Sequence, residues 1–563
     1  MESKDLWQKY EKGVAYNSQF KPNKDYYEAC KVWNAFYNGD QWLGLEGDQK
    51  LPHPTFNIIK RITEFLVASL TSSNIAVNIE PLENLATEDA AEFKMSDFLN
   101  AEVKNIFEKT NFEYKIKEIL TDGAITGDLC FHTVFNPTKK AYRGQDIQGE
   151  IEIEIIDATN VLFGNPNIKD VEKQPYIIIV GRDLVKNLQK EAKDKEIRPD
   201  SETQYQSNEY AETEIQGDEE GKALYIIYYY KKDDKVYCTK TTKDAVIYEN
   251  VDINATRYPI AFSNFYRQKG TYHGRGVVES VCPNQISINK LFAMAIYHQM
   301  MTAFPPMMID KDMVDSINNE VGSVIELHGL KNSDRKFSDV AGYLNPANMS
   351  EWIIKIIDLC FQYTKECLGV SDASLGQINP TNTSAIIAVQ KSTAVPLANI
   401  KDNLYNLVEQ EVLILIDIMA AKYGIRPVVM ADGNGNRQLV NFDFSALQNM
   451  DLKTSIDVGE TSYWSEISTL QTLDGLLQAE RIDFLQYLER VPNEFIPKKS
   501  ELISDLKEKM QMLPEGNQQP INKDAQYEQM AQFMDTLPLQ EQQQIMNMNP
   551  GEQENYLMNL MQQ

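Results

Sequence analysis

The chain has 563 residues, too many for one hydrophobic core, so two to four domains or subdomains are expected. Its apolar fraction of 42% and charged fraction of 24% are ordinary for a folded soluble protein. Against 82 acidic residues stand 55 basic ones, a net charge of −27, which argues against any function that grips phosphate backbones or anionic membranes.

In chain order, residues 1–45 read as helical and aromatic-rich, closing on FYNGDQW. NIIKRITEFLVASLTSS, 57–73, spaces its apolar residues as an amphipathic helix, and AVNIEPLE, 76–83, alternates as a strand. A helical stretch covers 86–120 and ends at DGAITGD. LCFHTVFN (129–136), GEIEIEIID (149–157) and PYIIIV (175–180) then read as strands, GEIEIEI with the alternation of a half-buried one. Residues 199–221 carry eight acids and no base and read as a mobile loop. ALYIIYYYKK (223–232), KVYCTK and DAVIYEN form a strand meander, which makes 120–265 a largely β module within a helical protein.

From Gly276 the pattern turns helical, and VVESVCPNQISINKLFAMAIYHQMMTAF reads as one helix with Pro283 early in it. Between Lys290 and Asp310 lie 19 residues without a charge, short of a membrane span and interrupted by His298, Gln299, Thr302 and Pro305-Pro306. A helix buried between neighbours accounts for them better. Residues 305–345 are short mixed elements. A helix follows over 345–369, capped by Asn348 or Ser350, with Trp352, Ile356, Leu359 and Tyr363 at helical spacing. Thirteen small, amide-rich residues lead into a helix of about forty residues, roughly 60 Å long, with a kink expected at Pro396. Residues 424–460 read as a small β unit around a DGNGN turn, and 461–511 as helical. The last fifty residues hold 12 Gln and 6 Met and a short duplication, PLQEQQQIMNM and PGEQENYLMNL. Two helices that fold on assembly and a disordered tail are both open readings.

No constellation for catalysis emerges. There is no GxxxxGK[ST], GxSxG, HxxxH or HExxH string, and the five histidines are scattered. HGRGVVES, 273–280, lacks the third glycine of a dinucleotide loop and reads as a turn before a helix. Acidic pairs are expected in so acidic a chain and read as solvated surface. The six cysteines form no framework; Cys360 and Cys367, two turns apart on an apolar helix face, read as reduced core residues. No cofactor and no metal are called for. A polar N-terminus, MESKDLWQKYEKG, carries no signal peptide.

The order of elements resembles the portal protein family of tailed bacteriophages, over about 50–510. The strings that carry it are NIIKRITEFLVASLTSS with VNIEP, then RYPIAFSNFYRQKGTYHGRGVVESVCPNQISINKLFAMA with Gln285 and Asn289 on its helix, then LGVSDASLGQINPTNTSAIIAVQ. The resemblance implies a mainly helical α+β portal-type fold. Its plan is an N-terminal wing (1–272), first stem helix (273–304), clip (305–345), second stem helix (346–370), tunnel loop (371–383), long kinked wing helix (384–423), small β unit of the wing (424–460), helical crown (461–511) and tail (512–563). It implies a ring, usually of about twelve copies, at one capsid vertex of a virion assembled in the host cytoplasm. Double-stranded DNA passes through it non-specifically in packaging and ejection. The implied partners are further copies of the chain, the packaging terminase, a head-tail adaptor, and the major capsid and scaffold proteins, with no membrane and no enzymatic activity. A tunnel loop would present Ser371, Asp372, Gln377, Asn379, Thr381 and Asn382 to the channel. Amides and hydroxyls there make exchangeable contacts where Lys or Arg would hold phosphate. Clip docking falls on Asp310, Asp312, Asp315, Asn318, Glu320 and Lys331, and stem contacts between subunits on Asn289, His298, Gln299 and Trp352. The net negative charge would keep DNA centred if the acids face the channel; they could equally face outward. Competing readings are another virion structural protein of the connector or tail, a packaging nuclease–ATPase, against which the missing P-loop argues, and a membrane-linked scaffold using 291–309.

Overall fold

The computed structural model describes residues 3–20, 25–42, 52–71, 75–81, 95–140, 148–193, 195–199, 221–303, 307–312, 336, 341–343, 349–369, 397–431, 437–449, 452–457, 463–479, 481–491 and 502–503. The chain divides into two units, Met1–Ser465 and Glu466–Gln563.

Helices α1 (Ser3–Ser18), α2 (Tyr26–Asn38) and α3 (Ile58–Leu70) open the first unit. Asp25 caps α2 by accepting from Tyr27 N, and Asn57 caps α3 by accepting from Lys60 N. The apolar spacing of NIIKRITEFLVASL buries Ile59, Ile62, Leu66, Val67 and Leu70 on one face of α3. The expected helix at 86–120 is two: α4 (Met95–Lys109) and α5 (Phe112–Thr126). They part at Asn111, whose φ of +52° leaves the helical region, as short polar side chains tolerate.

Strands β2 (Asp128–Lys140), β3 (Gln148–Ile155) and β9 (Ile260–Asn264) make one antiparallel sheet in the order β3-β2-β9. Ile151 and Ile153 of β3 are buried, as the alternation predicted. The second sheet is the antiparallel series β4 (Val161–Phe163), β5 (Tyr176–Leu184), β6 (Lys222–Lys232), β7 (Lys235–Thr242) and β8 (Val246–Asp252), which includes the expected meander. Helix α6 (Val185–Glu191) follows β5.

Helix α7 (Val277–Ala303) begins just after HGRG, with Pro283 inside it, and is followed by the strand pair β10 (Met307–Ile309) and β11 (Ala341–Tyr343). Helix α8 (Glu351–Cys367) is capped by Ser350, which accepts from Trp352 N. The described part of the long helix is α9 (Ala398–Lys422), 25 residues or roughly 37 Å; 384–396 and the kink at Pro396 lie outside the described residues.

Strands β12 (Ile425–Ala431) and β13 (Arg437–Asp443) form the expected hairpin. The third strand of that stretch, β14 (Leu452–Asp457), does not join them. It pairs antiparallel with β1 (Ala76–Pro81), Ala76 opposite Asp457, so 424–460 is not a self-contained β unit. Helices α2, α3, α4, α5 and α9, the start of α7 and the β3-β2-β9 sheet share one continuous core.

Helix α9 covers the free edge of β9. Asn403, Gln410 and Asp417 recur every seven residues, keeping nearly one face. The Asn403 carbonyl accepts from Ser263 Oγ, Gln410 Oε1 accepts from Phe262 N, and Asp417 accepts from the backbone N–H groups of Thr256 and Arg257. An edge strand left bare would expose its donors to another chain; here the Gln410 side chain occupies that of Phe262, and Asp417 those of the segment leading into β9.

In the second unit, α11 (Phe484–Arg490) starts with a capping box between Asp483 and Gln486. Its Tyr487 hydroxyl donates to Asp474 at 2.6 Å, on the helix α10 (Tyr463–Gln478).

Candidate subunit interface

The start of α7 is fixed to the rest of the first unit by a buried polar knot. His273 Nδ1 lies 2.6 Å from Asp128 Oδ2, both side chains being fully buried. His273 Nε2 lies 2.9 Å from Asn17 Oδ1 on α1. Asp128 Oδ1 accepts from Gly274 N at 2.6 Å and from Asn264 Nδ2 at 2.8 Å, and Oδ2 from the Tyr26 hydroxyl at 3.2 Å. Burial, with the Asp128 charge beside it, holds the Tyr26 phenol well above its ordinary pKa. Backbone meets backbone here as well: a Cβ on Gly274 would lie 2.2 Å from the Gly127 carbonyl oxygen, and one on Gly276 2.5 Å from that of Ile125. An Asp–His pair invites a catalytic reading. The described surroundings give it acceptors, donors and aromatic rings, with Tyr26 stacked on His273 at 4.0 Å, and its burial closes it to substrate.

From this anchor α7 leaves the core. Val277, Val278, Val281, Cys282, Gln285, Ile288, Asn289 and Ala293 are buried at helical spacing, and no residue from 294 to 303 is. Asn289 is engaged within its own chain: its Nδ2 donates to Gln41 Oε1, its Oδ1 accepts from Gln285 Nε2, and it is 2% exposed. Gln285 also donates to the Phe56 carbonyl and accepts from Ile58 N, tying α7 to the start of α3. His298 is half-buried beside Thr302, whose hydroxyl donates to the His298 carbonyl, and Gln299 is exposed.

Helix α8 meets α7 along a narrow strip. Asn284 Nδ2 donates to Thr364 Oγ1 at 3.2 Å, and Phe292 and Phe361 rings lie 6.1 Å apart. Only Ile357 and Thr364 of α8 are buried. The residues whose spacing marked an amphipathic helix therefore face outward: Trp352 is 68% exposed and Tyr363 57%, with Ile354, Ile356 and Leu359 exposed beside them. Met294, Met300 and Met301 of α7 and Met308 of β10 are exposed too. Among the described residues, the uncharged run at 291–309 thus leaves Met294, Gln299, Met300, Met301, Ala303 and Met308 exposed within one chain. Cys367 is exposed and Cys360 half-buried, contrary to the core positions expected of them. Their helix turns its apolar face away from the described core. A second exposed apolar group, Ile425, Val429 and Leu439, occupies the outer face of the β12–β13 hairpin, whose inner face buries Arg426, Val428 and Met430. Patches of this kind mark surfaces that bind protein or membrane, and among the described residues no helix is long and apolar enough to cross a membrane.

The model of the phage P22-like portal protein family matches residues 15–233 and 182–563. The chain belongs to the phage P22-like portal protein family. Its role is that of a phage portal, a structural part in DNA packaging and ejection. A comparison with curated proteins returned no match. The exposed apolar stripes on α7 and α8 are the candidate protein-binding surface of this chain.

Of the residues singled out from sequence, His298, Gln299 and Trp352 fall on or beside this exposed surface and Asn289 falls behind it. In the clip, Asp310 and Asp312 are described: Asp312 N donates to Asp310 Oδ1, and Asp312 is exposed. Asp315, Asn318, Glu320 and Lys331 lie outside the described residues, as do Ser371, Asp372, Gln377, Asn379, Thr381 and Asn382. Reading the acids uniformly as solvated surface passed over three buried ones, Asp128, Glu102 and Glu411. Burial pushes Glu411 up to about 7 and raises Glu102. The local cue for Asp128 was its place in the GD that starts β2, two residues after a helix that must turn. Among the described residues, no group of three or more His, Cys, Asp or Glu is placed to hold a metal ion.

Proposed function

We propose that the chain assembles as a closed ring, usually of about twelve copies, at one capsid vertex, with the outward stripes of α7 and α8 packed against neighbouring copies. The observation that carries this is the row Trp352, Ile356, Leu359 and Tyr363, apolar at helical spacing and exposed on a helix that, among the described residues, is buried only along one strip at Ile357 and Thr364. Obligate interfaces are large and apolar, like a core cut in half. A cyclic ring is heterologous, so each copy needs two different faces. The outer face of the β12–β13 hairpin supplies a further apolar surface for the second.

In this reading residues 371–383 line the channel, and their amides and hydroxyls let double-stranded DNA slide without a strong phosphate grip. Residues 305–345 dock the packaging terminase during filling and a head-tail adaptor afterwards, with Asp310 and Asp312 at the exposed base of that segment. Capsid and scaffold proteins surround the ring. The wing, stem, clip and crown boundaries follow the plan already given. Native mass spectrometry with two-dimensional electron-microscopy averages of the purified protein, alone and co-expressed with its scaffold, tests the reading. A ring of about twelve copies with a central hole is expected; a stable dimer under both conditions overturns it.

A further inference from the structure

Glu411 sits in the middle of α9 and is completely buried, among Leu407, Val408, Val412, Ile414 and Leu415 of the same helix. One carboxyl oxygen, Oε1, accepts the hydroxyl of Thr133 on β2. The other, Oε2, is buried with no hydrogen-bond partner among the described residues. A buried carboxylate with a bare oxygen is expensive, and the cheap remedy is a proton. The charged and titratable groups that act on it are few. Lys115 of α5 is the cation nearest in effect, and its ammonium already donates to the Ile153 carbonyl. Cys130 of β2 is the titratable neighbour, its own thiol pushed up by burial and by the charges of Asp128 and Glu411. β9, β14, α4 and the turn at Phe444–Asn449 also pack against α9, and from β9, α4 and the turn no charge acts on it among the described residues.

We propose that Glu411 is a proton-dependent latch between the long helix and the β3-β2-β9 sheet: neutral, it seats the middle of α9 on β2, and ionised, it opens that seat. Asn403, Gln410 and Asp417, bonded to 256–265, hold the helix while the Thr133 contact lets go. The opening is therefore local, and falls on the helix that follows the segment assigned to the channel in the proposed function.

The direction follows from the carboxyl being pushed up from 4.5 to about 7. The stabilisation is fully present below 4.5, erodes as pH rises, and is gone above about 7. Between pH 6 and 8.5 these values give a roughly tenfold fall in the equilibrium for the closed seat.

The test is hydrogen–deuterium exchange of the full chain, read as protection factors at pH 6 and 8.5. The wild-type chain is expected to lose about tenfold protection at 407–415 and 129–134. Glu411→Gln, neutral at both pH values, is expected to hold it constant. Thr133→Val removes the bond that favours the ionised form, so its loss of protection should move to higher pH. Equal protection of the wild-type segments at both pH values overturns the proposal without any variant. So does a Glu411→Gln chain with the wild-type pH dependence. The readout is local and independent of ring formation, so it fails or succeeds separately from the portal reading.

Discussion

Removing the Asp128 carboxylate should be among the most destabilising single changes in the first unit. It accepts four hydrogen bonds, from His273, Tyr26, Gly274 N and Asn264, and neither it nor His273 meets solvent. Asp128→Ala strands all four donors. Removing one member of a buried, hydrogen-bonded acid–imidazole pair costs about 3–5 kcal/mol, because the groups left behind lose the bonds that offset their desolvation. Asp128→Asn keeps the volume and one acceptor but turns an N–H₂ toward a donor, so about 2–3 kcal/mol is expected. Thermal melting is a poor assay here: for a unit as long as Met1–Ser465, unfolding entropy makes 1 kcal/mol worth only about 1 °C. Isothermal urea unfolding, followed by far-ultraviolet circular dichroism, is better. With a slope of about 3 kcal/mol/M or more, Asp128→Ala should lower the midpoint by roughly 1 M. The double variant Asp128→Leu/His273→Phe removes both polar partners and should recover part of the loss. A midpoint within about 0.2 M of wild type for Asp128→Ala would refute the reasoning, since four buried donors cannot lose their acceptor at no cost.

On α8, Ile356→Lys places a charge on an exposed stripe and should leave the single chain's unfolding midpoint within about 0.5 kcal/mol, while native mass spectrometry shows the ring dispersed. Gly274→Ala drives a methyl to within 2.2 Å of the Gly127 carbonyl and should cost about 3 kcal/mol or more, read as a lowered urea midpoint. Asp122, pushed up to about 7 by burial and by Asp157 and Glu118, ionises at a cost to the fold as pH rises through 7; Asp122→Asn should therefore stabilise the chain by about 2 kcal/mol at pH 8.5 and by little at pH 4.

Local pattern reached much of this fold because local forces set it. GEIEIEI alternates, and the sheet buries its isoleucines. The serine at 350 precedes a periodic run and caps it. The two glycines of HGRG precede a helix, and the first of them lets backbone approach backbone. What pattern could not reach is long-range. Strand β14 looks like a neighbour of β13 in the sequence, yet its partner is β1, more than 370 residues away. Asn403, Gln410 and Asp417 carry the heptad spacing of a covered edge, a signal visible only once an edge strand needing cover is known. Asp128 is one of 82 acids, and composition cannot say which of them folding will bury.

The stripe on α8 shows where the limit lies. Its spacing specifies a helix with one apolar face, and that much is present. Periodicity is silent on what the face meets. In a chain that folds alone, an apolar face turns inward, and Cys360 and Cys367 were placed in a core on that ground. Here the face turns outward while the polar contact of Asn284 with Thr364 holds the helix on its other side. Leaving Trp352, Ile356, Leu359 and Tyr363 in water costs the chain the transfer energy that a core would have returned, about 1.5–3 kcal/mol for each such side chain fully buried. An exposed row of that size marks a surface for a partner, which the proposed function takes to be a neighbouring copy. One spacing therefore serves an inward and an outward face alike, and only the packing of the described residues around the helix distinguishes the two.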